Sequence, residues 1–421
     1  MGLHLHLEGR ASPAHNDLLE EIARFIPSQG MTPLAHLERA VSEDGHPSLM
    51  VALHPAAEDV ELVVHGLAVR ATAKTSTAGP GYHRHVCDLL RRIGETFAIS
   101  WTRGNAADDS EYFFTSDHDE LERQTAQWLS ETATQIIAMH EAGATQMALS
   151  MPTSHAFQHN QVVATPLGPR DLAWLRAVEQ NGRAGFDIFP WAELGMGAGY
   201  SLGRALSLMW TDVRWRTPVS EDETSLLEEV VRALEAAYRA DPKREYPWNE
   251  WAEILAFLGK ESLLATRAQL KASTAKRGEP IGYRRGDVVT HLSGGWSVRL
   301  PGDFAETWDA QGTFCAWDGT RTVWFTSVSY TPAGDPNPSI EETLAGLPPL
   351  PGETLTETEG RVLRRASFTE GSEGDQTFKQ LNAYVGFSGQ AGIATICFED
   401  PDDQEWALST WRSILRTEAG R

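Results

Sequence analysis

Two pairs of residues in this sequence have the types and spacing that metal chemistry requires. His4 and His6 stand two residues apart, so on a strand both imidazoles would project from the same side. Two neutral imidazoles on one face form half of a zinc site. His83 and Cys87 lie one helical turn apart, in a segment that begins with a Gly-Pro-Gly turn, and they are also compatible with a metal ion.

Each of these patterns also has a structural interpretation. If Leu3, Leu5 and Leu7 form the buried face of a strand, His4 and His6 face solvent. The segment 79–88 is equally typical of a turn followed by an amphipathic helix with a buried cysteine, and its turn could instead present backbone N–H groups to an anion.

The opening segment GLHLHLEGR resembles the metal-binding start of adenosine deaminase-type amidohydrolases. The resemblance implies that His4 and His6 are metal ligands and that the protein is a metal-dependent hydrolase or deaminase, with His83 as a further candidate ligand. It also requires a third histidine, a catalytic glutamate and a late aspartate. The segment His140-Glu141-Ala142-Gly143 is a scrambled form of that family's His-Ala-Gly-Glu, and the late aspartate motif is missing. This function is therefore the alternative hypothesis.

A glycine cluster and a tryptophan cluster are the remaining candidates. The segment Gly195–Arg204 would suit a phosphate site with Arg204 as its cation, or a closely packed helix start; it lacks the Lys-Ser/Thr of a P-loop. Tryptophans and arginines alternate between residues 191 and 251, a composition found both in cores and in protein–protein hot spots. The predicted partner-binding residues of this region are Trp210, Arg214, Trp215, Trp248 and Trp251.

Composition limits the classes of partner. The chain has 421 residues with 36 Lys plus Arg against 58 Asp plus Glu, a formal net charge of −22, which argues against nucleic acid and favours a basic protein partner or simple solubility. Acidic residues concentrate between Glu399 and Glu405, where Asp402 or Asp403 would cap a helix and Asp400 and Glu405 are candidate partner-binding residues. Three distant cysteines indicate neither a disulfide framework nor a thiolate zinc site.

Targeting and membrane signals are also missing from the pattern. No run of about 18 apolar residues occurs, so no transmembrane helix is predicted. The first ten residues do not follow the basic-then-apolar pattern of a signal peptide, which favours a cytoplasmic location.

The elements that would position these residues indicate an α+β protein of two domains. In residues 1–272, amphipathic helices are predicted over Asp117–Gly143 and Thr224–Arg239, the latter with a cap at Ser220, and strands over Ser48–His54 and Asp59–Thr72. The segment Lys271–Gly286 is poor in apolar residues and is the predicted linker.

Residues 287–421 change to the period of strands. Alternating segments over Trp296–Leu300 and Trp324–Tyr330 are followed by a strand pair, Asn382–Phe387 with Ala391–Phe398, and a final helix over Asp403–Leu415. The order of elements and the opening Trp-x-Val-x-Leu-Pro-x-Asp-Phe resemble PsbP-like domains. That resemblance implies an antiparallel sheet covered by helices. It also implies a binding module rather than an enzyme, since proteins of this kind include immunity proteins against toxins.

The sequence therefore predicts a cytoplasmic, non-enzymatic interaction protein, immunity-like, that binds a basic toxin or effector without a cofactor.

Overall fold

The division of the chain into two units is the first feature of its architecture. A computed structural model describes residues 3–12, 17–28, 36–151, 155, 160–259, 271–272, 279–329, 338–373, 376–387 and 389–416. Unit 1 comprises Met1–Thr153, Phe157–Val213 and Ser220–Gly282, and unit 2 comprises Ser154–Ala156, Arg214–Val219 and Tyr283–Arg421. Both contain helices and antiparallel strands, so the α+β class is confirmed. Residues 273–278 of the predicted linker lie outside the described residues.

Unit 1 is built around a six-stranded antiparallel sheet with the order β2-β3-β4-β5-β1-β6. Its strands are β1 His4–Arg10, β2 His36–Val41, β3 Pro47–Ala52, β4 Val60–His65, β5 Ala68–Lys74 and β6 Ser100–Asp108. The single strand predicted over Asp59–Thr72 is in fact the hairpin β4–β5. Gly66 turns the chain there with a φ of 60°, a conformation that favours glycine. The Val- and Leu-rich run concealed this turn.

Eight helices in the described part of unit 1 accompany that sheet and a small second one. They are α1 Leu18–Ser28, α2 Pro80–Thr96, α3 Tyr112–Thr115, α4 His118–Glu141, α5 Leu172–Gln180, α6 Ala198–Thr211, α7 Glu221–Ala240 and α8 Trp248–Phe257, with a 3₁₀ segment at Gly182–Ile188. The small sheet joins β7 Met147–Ala148, β8 Gln161–Ala164 and β9 Arg170–Asp171. None of the helices described in the whole chain is both long and apolar enough to cross a membrane.

Two of these helices confirm the predicted periodicity, and α7 also confirms the predicted cap at Ser220. Helix α4 begins after Asp117, whose carboxylate accepts a hydrogen bond from the Glu120 N–H. Helix α7 begins after Ser220, whose hydroxyl accepts from the Glu223 N–H. Such caps contribute about 1 kcal/mol each because they satisfy backbone donors that the helix leaves unpaired.

Helix α2 supplies much of the core of unit 1. Its apolar face, from Tyr82 through Val86 to Ile93, is fully buried in one cluster with the inward side chains of β1 and β4. Full burial of an aliphatic or aromatic side chain contributes roughly 1.5–3 kcal/mol, so this face fixes the helix firmly. The polar residues of the same helix are consequently held at defined positions in the core.

The described part of unit 2 contains two antiparallel sheets with helices. The strands are β10 Asp287–Leu292, β11 Trp296–Pro301, β12 Ala305–Trp308, β13 Phe314–Trp317, β14 Arg321–Ser329, β15 Leu355–Glu359, β16 Val362–Glu373, β17 Gln376–Phe387, β18 Gln390–Phe398 and β19 Leu415–Arg416. One sheet has the order β10-β11-β19 and the other β12-β13-β14-β18-β17-β16-β15. The helices are α9 Ile340–Ala345 and α10 Gln404–Ser413, with 3₁₀ segments at Tyr283–Arg285, Ser293–Gly295 and Pro401–Asp403.

The alternation predicted over Trp296–Leu300 is confirmed, and its inward side chains are part of the core. The segment predicted over Trp324–Tyr330 forms strand β14, but its buried side chains are Val323 and Phe325, whereas Trp324 is exposed and Tyr330 lies outside the described residues. Trp296, Val298 and Leu300 of β11 are buried together with Trp411 of α10. The strand pair β17–β18 forms in antiparallel register, with Phe387 opposite Gln390.

Residues 214–219 belong to unit 2, although the sequence assigned them to the N-terminal region. Two arginine side chains hold this segment there: Arg214 Nε donates to the Phe304 carbonyl at 2.7 Å, and Arg216 Nε donates to the Asp303 carbonyl at 2.6 Å. Contacts of this kind, 87 and 90 residues apart in sequence, leave no periodic signal.

Candidate functional site

The N-terminal histidines lie on the outward side of strand β1. Leu3, Leu5 and Leu7 are buried, whereas His4 is exposed and His6 is half-buried, as in the structural interpretation of this segment. Strand alternation is the reason, because successive side chains point to opposite faces. His83 is buried at 1% exposure, so the three candidate ligands do not form one group.

His83 instead meets two other potential ligands inside unit 1. Among the residues that the structure describes, the group His83, Cys87 and Asp108 is the one set of three metal-ligating side chains whose ligand atoms lie within 4.8 Å of one another, and all three are buried. Helix α2 supplies the first two residues, one turn apart, and the end of β6 supplies Asp108. The sequence indicated the pair on α2 but not Asp108, because no local signal links Asp108 to residues 21 and 25 positions earlier in the chain.

Hydrogen bonds already occupy most of the ligand atoms in this group. His83 Nδ1 lies 2.7 Å from the Thr75 hydroxyl, and Nε2 lies 3.0 Å from the Ser110 hydroxyl and 3.4 Å from Asp108 Oδ1. Asp108 Oδ1 accepts from the Ser110 hydroxyl at 2.7 Å, and Oδ2 accepts from the Phe113 N–H at 2.6 Å. The group is thus a closed polar network that ties the end of β6 to α2.

The protonation states in this network follow from burial and hydrogen bonding. Burial by itself raises the pKa of Asp108, but hydrogen bonding and charge attraction from His83, with the donors from Phe113 and Ser110, outweigh burial and lower that pKa. Burial raises the pKa of the Cys87 thiol well above its usual value. The carboxylate is therefore ionised while the thiol stays protonated, and a protonated thiol is a poor metal ligand.

We predict that the purified protein carries no stoichiometric transition metal, because a metal ion would have to break the hydrogen bonds of His83 and Asp108 and ionise Cys87. Elemental analysis by plasma mass spectrometry, before and after chelation, checks this. His83→Asn and His4→Asn serve as matched variants of a buried and an exposed histidine. One equivalent of zinc that disappears in either variant would contradict the prediction and favour the hydrolase hypothesis.

The Gly-Pro-Gly turn contacts the protein itself. Gly81 N–H donates to the Trp191 carbonyl at 3.0 Å, and Trp191 N–H donates to the Ala78 carbonyl at 2.8 Å. A Cβ atom at Gly81 would lie 2.2 Å from the Glu193 carbonyl, so only glycine permits this approach. The Gly81 N–H at the start of α2, which could have bound an anion, thus binds the segment 191–193 instead.

The glycine cluster follows its structural interpretation in the same way. Arg204 Nε donates to Glu229 at 2.8 Å, so the cation expected for phosphate is paired with a carboxylate on α7. A Cβ atom at Gly203 would lie 1.9 Å from the Pro190 carbonyl. The glycine at this position allows close packing of α6.

The tryptophans predicted to bind a partner are divided between the two units. Trp251 is fully buried and Trp248 stacks on it, with ring centroids 5.3 Å apart and an interplanar angle of 7°. Trp210 is half-buried and packs against Gly168. A Cβ atom added at Gly168 would lie 2.6 Å from the Trp210 indole ring, so the contact is close. These three contribute to the packing of unit 1, whereas Arg214 and Trp215 belong to unit 2.

Arg214 and Trp215 line a cavity of about 330 Å³ in unit 2. The guanidinium of Arg285 lies over the Trp215 ring, 3.7 Å from its centroid. Arg284 Nη1 lies 3.2 Å from both the Gly302 carbonyl and Glu306 Oε1. The charged residues that line the cavity are Arg214, Arg284, Arg285, Arg321, Asp287 and Asp303. In a chain of net charge −22, this is a local concentration of arginine.

Trp215 itself has an unusual backbone. Its φ of 52° falls in the left-handed region, which is rare and costly for a bulky residue, and its indole N–H is buried with no hydrogen-bond partner among the described residues. Strain of this kind occurs preferentially at binding and active sites.

The acidic segment at the start of α10 uses one carboxylate for capping. Asp400, and not Asp402 or Asp403 as predicted, accepts a hydrogen bond from the Asp402 N–H at 2.9 Å. A short 3₁₀ turn precedes α10 and moves the capping position back. Glu405 is exposed and lies 3.3 Å from Arg412 Nη1.

Comparisons with known proteins do not assign a function to this chain, so a functional proposal depends on the geometry of its sites. No family model and no curated protein matches the chain. A crystal structure from Bacteroides thetaiotaomicron VPI-5482 matches 32% of this chain and 50% of its own chain, at 13% identity and a TM-score of 0.27. The chain thus spans about half the length of that protein, and a likeness this low carries no argument about fold or activity.

Proposed function

We propose that this protein is a non-enzymatic interaction protein and that unit 2 docks a protein partner at the cavity lined by Trp215 and arginines. The observation that carries the proposal is the convergence of Arg214 and Trp215 with Arg285 and Arg284 around one open cavity. These residues come from segments about 70 positions apart in sequence, so the convergence is a product of the fold.

The chemistry of the cavity favours a protein partner. Tryptophan and arginine are the residue types most enriched in interface hot spots, because each combines a large apolar surface with directional donors. Stacking on Trp215 holds the Arg285 guanidinium in one orientation, which reduces the entropy lost when it binds a carboxylate.

The partner is proposed to be basic overall, such as a toxin or effector, while offering one acidic group to the cavity. The net charge of −22 supports long-range attraction of a basic protein, and exposed carboxylates such as Glu405 add to that field. The cavity then determines the orientation of the complex. A PsbP-like, immunity-like role for unit 2 and a cytoplasmic location are parts of this proposal.

Photo-crosslinking from the edge of residues 214–219 tests the proposal. With a photoreactive residue at exposed Thr217, we expect one discrete adduct in the producing cells, identifiable by mass spectrometry. Arg285→Glu should reduce the adduct at least tenfold, since reversal of a stacked charge opposes a carboxylate directly. Arg299→Glu is the matched control, because Arg299 is exposed on β11 of the same unit and does not line the cavity.

Two outcomes would contradict docking at this cavity: no adduct from Thr217 in the intact chain, or an adduct that Arg285→Glu and Arg299→Glu reduce equally. Glu405→Gln examines the charge of the partner separately. If the partner is basic, this variant slows its association at low ionic strength and leaves the position of the adduct unchanged.

A further inference from the structure

A second cavity in unit 2 differs from the first in its chemistry. It has a volume of about 540 Å³ and lies between the outer surface of the large sheet and the segment that follows helix α9. One side is apolar, contributed by Leu344, Leu347, Pro348, Pro349 and Leu350. A volume of this size is in the range of small-molecule sites.

Strand register places a polar row on the opposite side. Thr356 of β15 pairs with Arg365 of β16, and Arg365 pairs with Tyr384 of β17, so the three side chains stand next to one another on one face. All three line the cavity. These three side chains thus form a polar row that lies opposite the leucine and proline side of the cavity.

Apart from their backbone pairing in the sheet, Arg365 and Tyr384 make no side-chain hydrogen bond or ion pair with any other residue that the structure describes. The neighbouring Arg364 shows the contrast: its guanidinium lies 3.0 Å from Glu359 Oε2 and donates to the carbonyls of Arg412 and Ile414. Glu342 of α9 is likewise engaged, because it closes a capping box with Ser339. A half-buried arginine paired with a half-buried tyrosine therefore lines the cavity with its side-chain donors available.

We propose that this cavity binds a small monocarboxylic acid with an apolar body. Its carboxylate would accept charge-assisted hydrogen bonds from Arg365 and a further one from the Tyr384 hydroxyl, while its body displaces water from the leucine and proline side. A cationic ligand would repel the guanidinium and a neutral one would leave it without a charged partner, which costs binding energy. This site is independent of the protein-docking cavity proposed above.

Calorimetric titration of the full chain with decanoate, kept below its micellar concentration, tests the proposal. We expect saturable binding of one equivalent, with 1-decanol binding at least tenfold more weakly, because the alcohol shares the apolar body and lacks the charge. Arg365→Gln should weaken decanoate at least tenfold and leave 1-decanol unchanged, since a hydrogen bond to a charged group contributes about 1.5–3 kcal/mol. Tyr384→Phe should weaken decanoate by a smaller factor.

Arg299→Gln is the matched control for the loss of one positive charge in unit 2 and should bind decanoate as the parent chain does. Circular dichroism of each variant verifies that the fold is retained, and Tyr384→Phe, which removes a single hydroxyl, keeps the test valid if Arg365→Gln unfolds. Equal affinities for decanoate and 1-decanol, no saturable decanoate binding, or equal weakening by Arg365→Gln and Arg299→Gln would each overturn the proposal.

Discussion

Asp108→Ala is expected to lower the free energy of unfolding of unit 1 by about 3–5 kcal/mol, because several buried donors lose their acceptor and each unsatisfied donor costs about 1–3 kcal/mol. The carboxylate is 6% exposed, interacts with His83, and accepts from the Phe113 N–H and from the hydroxyl and N–H of Ser110. Its removal leaves those donors buried without an acceptor. Equilibrium urea unfolding, together with hydrogen exchange of the α2 amides, measures the loss within unit 1.

The adjacent residue supplies the control for this prediction. Asp109 is exposed and accepts one hydrogen bond from the His4 N–H at 2.9 Å, so Asp109→Ala should cost less than about 1 kcal/mol. Asp108→Asn keeps the shape and one acceptor and should fall between the two. If Asp108→Ala and Asp109→Ala destabilise the protein equally, the network around His83 does not hold β6 to α2.

Unit 1 is expected to lose stability already in mild acid. Burial, with a contribution from the charge of Arg204, lowers the pKa of His54 to about 3, and burial lowers the pKa of His85 to about 4. Both rings surround Trp191, with centroid distances of 6.0 Å and 4.9 Å. His54 Nδ1 accepts from the Ala56 N–H at 3.1 Å, so a proton added there would face another donor. The neutral ring is therefore the form that the folded state holds.

The sign of the pH dependence follows from these pKa values. In the unfolded chain a histidine titrates near pH 6.5. Below that pH the unfolded state therefore binds protons at these two positions, while His54 and His85 of the folded state remain unprotonated. Their contribution to stability is complete above pH 6.5 and is lost as the pH falls toward 4 for His85 and 3 for His54. At pH 5 each of the two histidines should have lowered the free energy of unfolding by about 2 kcal/mol relative to neutral pH, and most carboxylates have not yet begun to titrate at that pH.

Urea unfolding between pH 7.5 and 5, read by hydrogen exchange within unit 1, tests this prediction. His54→Asn retains an acceptor for the Ala56 N–H and cannot titrate, so it should reduce the dependence on pH by about half. His65→Asn is the control, because His65 is exposed. A slope that remains unchanged in His54→Asn would show that the buried imidazole does not carry the acid sensitivity.

Particular elements show how far the sequence can be interpreted. Helix α7 and its Ser220 cap were predictable, because a stripe of Leu and Val at helical spacing and a capping residue are both local signals. The outward direction of His4 and His6 followed from the alternation of leucines in β1. The hairpin at Gly66 was missed, since a single glycine within an apolar run is a weak turn signal.

The candidate sites were predicted less well than the elements that carry them. Among the tryptophans, Trp215 and Trp251 looked equivalent in sequence, yet one lines an open cavity and the other is fully buried. No sequence pattern marks Arg365 as a candidate, because its role depends on the neighbours that two strand pairings bring to it.

The sequence by itself determined the α+β class, the helix and strand periods, the faces that those periods bury, and the net charge, because each depends on residue type and on spacing within one element. The tertiary structure alone decided that Asp108 completes a network with His83, that residues 214–219 join unit 2, and that Arg364 is paired while Arg365 faces a cavity. The physical reason is that hydrogen bonds and charge interactions act over a few ångströms in space, whatever the separation in sequence. A chain position therefore acquires its chemistry only when packing has selected its neighbours.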